Sequence, residues 1–313
     1  MQRIRTAIRI TFFSLLALLL KRRTGLKLFN WFYNQSGNTV RKILYRHTPR
    51  PNLSFEWKIK LLNGKTILSP VDVKDPYTWD LSLLYNNVSP QLCILELTLF
   101  KVLKENLVYM DIGANQGMRS FIPLSEGITT YLFEPNDYLT NIIEKRCRLN
   151  NWSNYKIENI ALSNQEGSQE FFFSHEPSMS SLEKSFAEQR GISESKQIEI
   201  SAIDQYIKKH RIKAKNWFFK IDVEGHEKEV ILGAETTIQE HRPTMLIEIF
   251  SELYSKELFI YLSSLGYKVY GVNYKTNKIL TLITQASQLD SYQASDYLYV
   301  YQQDLNASLA ELL

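Results

Sequence analysis

Hydrophobic residues along this chain follow two rhythms, and the change from one to the other near residue 90 divides it. Before that point, Phe55, Trp57, Ile59 and Leu61 alternate with Glu56, Lys58 and Lys60, the period of two expected of a strand with one wet face. Asn63-Gly64 follows, then Lys65-Thr-Ile-Leu68. Alternation on both sides of Asn-Gly predicts a β-hairpin. Upstream, residues 10–20 form a charge-free run, and Leu28, Trp31 and Phe32 recur at helical spacing before a break at Ser36-Gly37-Asn38. Pro49 and Pro51 mark a boundary.

After residue 90 the pattern becomes helix, strand, helix, strand. Residues 91–104 read as helix. Apolar runs of strand length then stand at 107–112, 130–133, 155–160, 171–173, 216–221, 245–249, 267–272 and 297–301. Between them, Leu139, Ile142, Ile143 and Cys147 share one helical face, as do Val230, Ile231, Ala234 and Ile238, and 259–265 is a further helix. Such alternation implies a mostly parallel sheet covered on both faces, with ligands at the carboxyl ends of its strands. Residues 174–201, rich in serine and charge, read as an insertion: an acceptor-binding lid or an inert surface loop. The expected organisation is a helical arm (1–50), a hairpin lead-in (51–89), a sheet domain (90–302) and a short tail (303–313).

Charge adds a second asymmetry. The 313 residues carry a net charge of +4, yet residues 1–50 hold eleven Lys or Arg and no Asp or Glu, so the remainder is net −7. A basic, acid-free arm around an apolar run suits an anionic membrane surface better than nucleic acid, and the body has no basic stripe of the kind nucleic-acid enzymes use. As a helix, residues 10–20 would span roughly 16 Å, about half of a bilayer core, so no transmembrane span is expected. The readings left for the arm are a helix packed on the body, a targeting segment, or peripheral contact with anionic membrane through residues 1–25. Cys93 and Cys147 give neither a disulfide framework nor metal-ligand spacing, which points to a reducing, cytoplasmic compartment.

Chemistry concentrates at three predicted strand ends. The first is Val108-Tyr-Met-Asp-Ile-Gly-Ala-Asn-Gln-Gly117, a strand running into a glycine turn, where backbone amides can face a ligand. Its spacing is Asp-x-Gly-x-x-x-Gly rather than the Gly-x-Gly-x-x-Gly of dinucleotide sites. The second is Glu134, seventeen residues beyond Gly117, where an acid can accept hydrogen bonds from ribose hydroxyls. The third is Lys220-Ile-Asp-Val-Glu-Gly-His-Glu227. Acids in a first helical turn explain Glu224 and Glu227 without any function. They do less for Asp222, which ends an apolar strand. A metal set of Asp222, Glu224 and His226 is the weaker reading, and no metal is expected.

These blocks, with Ser120, Phe133-Glu-Pro135, Asn159-Ile-Ala-Leu162 and Ile247-Glu-Ile249, resemble the FkbM-type branch of the S-adenosylmethionine-dependent methyltransferases over about residues 90–302. The resemblance implies a Rossmann-like class I methyltransferase α/β sheet of seven strands, the last antiparallel, preceded here by the helical arm and hairpin. It implies S-adenosylmethionine as cofactor. Asp111, Gly113, Asn115 and Gly117 would line its methionine end, Glu134 would hold the ribose, and Asn159 and Ile160 would flank the adenine. It further implies a hydroxyl acceptor on a saccharide or natural product. An alcohol is a poor nucleophile until its proton leaves, so a base is required, contributing roughly 10²–10⁴-fold. The candidates, in order, are Asp222, Glu224 and His226, with Lys220 and Glu248 as a supporting ion pair. Two other classes are weighed: a nicotinamide-dependent oxidoreductase on a similar sheet, and a non-catalytic protein assembling at a membrane.

Overall fold

The computed structural model describes residues 12–16, 18–36, 40–41, 43–44, 48, 50–74, 78–79, 90–175, 179–250, 252–274, 278–290, 295–301, 305 and 309–313. The chain forms two compact units. The smaller takes residues 1–90 together with 145–152; the larger takes 91–144 and 153–313.

In the smaller unit, helix α1 (Arg23–Gln35) lies with the hairpin of β1 (Phe55–Lys60) and β2 (Thr66–Val71). The strands pair antiparallel, Lys60 opposite Thr66. The connecting loop holds three residues, 62–64, and Gly64 takes a left-handed φ of 84°, as such hairpins require. The inward side of the alternation, Trp57 and Ile59 on β1, is buried. Residues 145–152 close the outer edge of β2. The side-chain amide of Asn150 donates to Leu68 O and accepts from Leu68 N, both at 2.7 Å, so it stands where a neighbouring strand would.

In the larger unit the elements run α2 (Pro90–Leu103), β3 (Leu107–Ile112), α3 (Phe121–Ser125), β4 (Thr129–Phe133) and α4 (Asp137–Leu149, its last turn in the smaller unit). Then come β5 (Tyr155–Glu158), β6 (Ala161–Ser163), β7 (Gly167–Ser174), α5 (Lys184–Ala187), β8 (Ile192–Ala202) and α6 (Ile203–His210). The chain continues through β9 (Asn216–Ile221), α7 (Glu227–Leu232), α8 (Glu235–His241), β10 (Thr244–Glu248), α9 (Glu252–Ser264), β11 (Lys268–Val272), β12 (Leu280–Ile283) and β13 (Asp296–Val300). The main sheet is ordered β12-β11-β13-β10-β9-β3-β4-β5. β13 inserts antiparallel between β10 and β11. This is the Rossmann-like class I methyltransferase arrangement, with β12 added at one edge as an eighth strand beyond the seven expected.

The central strands are buried on both sides, so they read as mainly apolar runs, interrupted on β3 by Asp111 and on β9 by Lys220. On β3, Val108, Met110 and Ile112 enter one core while Leu107 and Tyr109 enter the opposite one. The chain folds out from β3 toward β4 and β5, then returns to add β9 and β10 on its other flank. That reversal places the crevice for a ligand above the carboxyl ends of β3, β4 and β9.

Two expectations are corrected. The 171–173 run belongs to β7, which joins a separate three-stranded sheet, β6-β8-β7, not the main one. Residues 174–201 are not mostly loop, since the eleven-residue β8 pairs antiparallel with β7 from Ile192 to Ile200. Five successive β8 residues are exposed, so no apolar alternation announces the strand.

Candidate functional site

The turn after β3 is set by backbone contacts. Gly113 has φ +75°, and a Cβ there would lie 1.8 Å from Asp222 O. Only glycine lets the ends of β3 and β9 meet this closely. The amides of Gly113 and Ala114 both donate to Phe133 O, at 3.1 and 3.0 Å, which ties the turn to the end of β4. Beyond it, Glu134 accepts from the amides of Asn115 (2.7 Å) and Asn136 (2.9 Å). Burial raises its carboxyl to about 7, against the pull of those two amides. Each oxygen keeps lone-pair capacity for a further donor.

Beneath the turn lies a buried charge cluster. The register of β3 on β9 sets Asp111 opposite Lys220. Asp111, wholly buried, accepts from Ser120 Oγ at 2.6 Å and faces Lys220 Nζ at 3.4 Å. Lys220 also donates to Gly113 O (3.0 Å) and pairs with Asp222 (3.1 Å). Burial opposes its charge, but Asp222 and Asp111 more than offset this, so the ammonium is held well above the usual lysine range. The expected Lys220–Glu248 ion pair is not made, because Asp111 and Asp222 stand closer and Glu248 feels the ammonium only at longer range. Burial, with Asp222 and Asp296 near, raises Glu248 to about 9.

The loop after β9 holds the remaining candidates. Glu224 has φ 55°, a left-handed conformation that strains a non-glycine residue. Its Oε2 is buried without a partner among the described residues, and burial, with Asp222 and Glu227 beside it, lifts the carboxyl to about 8. His226 is buried with both ring nitrogens engaged: Nε2 meets Ser163 Oγ at 2.9 Å and Nδ1 meets Glu183 at 2.8 Å. A proton on Nδ1 satisfies both contacts, with the Ser163 hydroxyl donating to Nε2. The loop is also held from outside, since Ser181 Oγ donates to Glu224 O at 2.8 Å.

These elements enclose about 580 Å³ of space partly open to solvent, lined by Gly113, Asn115, Glu134, Asp222, Glu224 and His226 among others. Six of the ten sequence-predicted residues therefore meet there. Asp111, Gly117, Asn159 and Ile160 do not line it. Asn159 donates to Glu134 O and Pro135 O, at 3.0 and 2.9 Å, and so braces the end of β4. Apolar walls that sequence reasoning missed come from Phe133, Ala161, Leu162, Phe171 and Leu182. Ala161 and Leu162 lie on β6, Phe171 on β7 and Leu182 beside them, in a side sheet whose third strand, β8, has no apolar alternation to announce it. A second groove shares the 224–227 loop and is walled by Glu183, Phe186, Phe250 and Tyr254; the Phe186 and Phe250 rings stand 6.0 Å apart.

Among the described residues, the group of His and carboxylate donors close enough to share an ion is Glu183, His226 and Glu229, two of which already bond to each other. It is not the Asp222, Glu224 and His226 set considered from sequence.

Among the described residues, three acidic side chains line the recess and one buried lysine sits beneath it. That donor set fits S-adenosylmethionine, whose sulfonium and ammonium are both cationic, and the apolar wall fits its adenine.

Comparisons with known proteins agree. The Methyltransferase FkbM domain matches residues 111–269, just over half of the chain. No curated protein sequence matches. Among solved structures, methyltransferase FkbM from Methylobacillus flagellatus KT is 18% identical with a TM-score of 0.39, the alignment covering 63% of this chain and 43% of that one. A SAM-dependent methyltransferase from Agrobacterium tumefaciens is 9% identical with a TM-score of 0.42, covering 81% and 72%. An rRNA methylase from Streptococcus thermophilus is 10% identical with a TM-score of 0.39, covering 68% and 95%. None of these scores reaches 0.5, and the assignment rests on the domain match. The chain belongs to the FkbM family of S-adenosylmethionine-dependent methyltransferases.

Proposed function

We propose that this enzyme methylates a hydroxyl oxygen on a saccharide or related natural product, within the acidic recess above β3, β4 and β9. The observation that carries the reading is Asp222, part-exposed in that recess with one of its oxygens held by Lys220. Gly113 and Asn115 would hold the methionine end of the cofactor, with Asp111 fixed beneath. Glu134 would take the ribose hydroxyls, and Asn159 and Ile160 would support the adenine side. When bound, the cofactor supplies an electrophilic methyl group that needs no further activation.

What remains for the protein is to present an oxygen and take its proton. Asp222 lines the recess and is part-exposed, with Lys220 holding one of its oxygens, which supports it as the base. Glu224, near 8, is largely protonated at neutral pH and becomes a base only as pH rises or as a cation settles beside it. His226, with both nitrogens occupied, serves to position the loop. The aromatic groove of Phe186, Phe250 and Tyr254, with Glu183 on its rim, supports entry of a hydroxyl-rich acceptor: flat apolar ring faces stack on aromatic side chains, and carboxylates accept from hydroxyls. Two buried thiols, Cys93 and Cys147, suit a reducing compartment such as the cytoplasm.

Calorimetry with S-adenosylmethionine and its demethylated product tests the cofactor site. Glu134→Ala is expected to weaken binding about tenfold or more. Asp222→Asn is expected to leave binding within a few-fold while lowering turnover on a sugar panel by about 10² or more. Absence of binding by the native chain overturns the site assignment, and full turnover in Asp222→Asn removes that residue as base.

A further inference from the structure

Helix α1 has two apolar faces, and among the described residues only one of them is packed. Leu26, Phe29 and Tyr33 are buried, with the rings of Phe29 and Tyr33 at 5.7 and 5.5 Å from Trp57 of β1. On the other side Leu28, Trp31 and Phe32, spaced three and four apart, are exposed; Trp31 is 64% accessible. The helical residues before α1 repeat the arrangement. Leu16 and Leu20 are buried, while Phe12, Leu15, Leu18 and Leu19 are exposed. A tight corner joins the two segments at Gly25, where a Cβ would lie 1.9 Å from Leu19 O. Val40 and Ile43 extend the exposed set. Among the described residues, ten of the twenty exposed large apolar side chains fall between 12 and 62.

Such concentration exceeds the scattered apolar surface of an ordinary monomer and marks a contact face. Its charges say with what. Lys21, Arg22, Arg23 and Lys27 are all exposed beside it, and residues 1–50 contain no acid to neutralise them. A second copy of this chain would bring the same cations against them, so self-association is opposed. No helix among the described residues is long and apolar enough to cross a membrane. We infer that this face docks on an anionic lipid bilayer. Leu15, Leu19, Leu28, Trp31 and Phe32 enter the boundary of the acyl chains, while the cations of residues 21–27 stay among the headgroups. Tryptophan suits that depth, being apolar with one polar edge, and an interfacial helix needs only one apolar face and cationic flanks. The docking centre is thus α1 rather than the 1–25 arm alone, of which residues 1–11 lie outside the described residues. The inference stands independently of the methyl-transfer reading.

Flotation of the full chain with vesicles tests it, comparing pure phosphatidylcholine with a mixture containing roughly one third phosphatidylglycerol. The native chain is expected to float with the anionic vesicles and to be weakened by salt. The double variant Leu28→Glu, Trp31→Glu is expected to lose binding by about tenfold or more, with an unchanged melting temperature because both side chains are exposed. Lys21→Gln, Arg22→Gln, Arg23→Gln is expected to remove the preference for anionic over neutral vesicles. The inference is overturned if the native chain floats with neither vesicle or if the well-folded double variant floats like the native chain. Lipid-free dimerisation abolished by Trp31→Glu, without vesicle binding, would equally overturn it in favour of a second copy.

Discussion

At the residue scale the site depends on one buried ammonium. Lys220 satisfies Gly113 O and balances Asp111 and Asp222, so it joins the turn after β3 to the loop after β9 through charge. Lys220→Met leaves Asp111 wholly buried with Ser120 as its remaining short contact. We expect a loss of about 3–5 kcal/mol in urea unfolding, as when one partner of a buried pair is removed. Adding Asp111→Leu to that variant is expected to restore much of the loss, because the uncompensated charge then disappears. A Lys220→Met chain as stable as the native one would show the cluster to be inessential. Glu224 illustrates the opposite use of burial. Its strained backbone and orphaned Oε2 lower stability, and they persist because Ser181 holds the loop from outside.

At the element scale, an edge strand is closed by a side chain. Asn150 occupies both hydrogen-bonding groups of Leu68 on β2, so Asn150→Ala is expected to cost about 1–2 kcal/mol and to speed amide exchange at Leu68 above all. Unchanged exchange there would refute the assignment. That contact was not legible in the sequence, because it joins residues 82 positions apart and asparagine carries no periodicity. The central strands were legible, since burial on both faces leaves mainly apolar runs at β3, β9 and β13, broken on β3 by Asp111 and on β9 by Lys220. Glu134 and Asp222 were legible as strand ends, each being the first acid after such a run. β8 was not, because its outer residues are wet on both faces. The apolar walls from Phe171 and Leu182 escaped with it, as they reach the recess only once the side sheet has folded.

At the scale of the whole molecule, acids held above their usual range govern the response to pH. Glu134 and Glu227 stand at about 7, Glu224 at about 8 and Glu248 at about 9, burial being the chief cause in each. Each binds its proton more tightly folded than unfolded. Their contribution to stability is therefore complete below the unfolded value of 4.5 and is lost as pH climbs through 7 to 9. The melting temperature of the ligand-free chain is expected to fall between about pH 6 and about pH 9, and to fall less in Glu248→Gln; a flat profile would contradict this. The division into units carries a separate consequence. Residues 145–152 belong with 1–90, although they are encoded between two strands of the methyltransferase sheet. Deleting residues 1–89 would strand Arg146, 1% exposed and bonded to Ser69, and leave Asn150 with nothing to close. The N-terminal unit is thus not a detachable cassette: no single crossover can transfer it alone, because a cut late enough to keep residues 145–152 also carries residues 91–144 of the sheet domain.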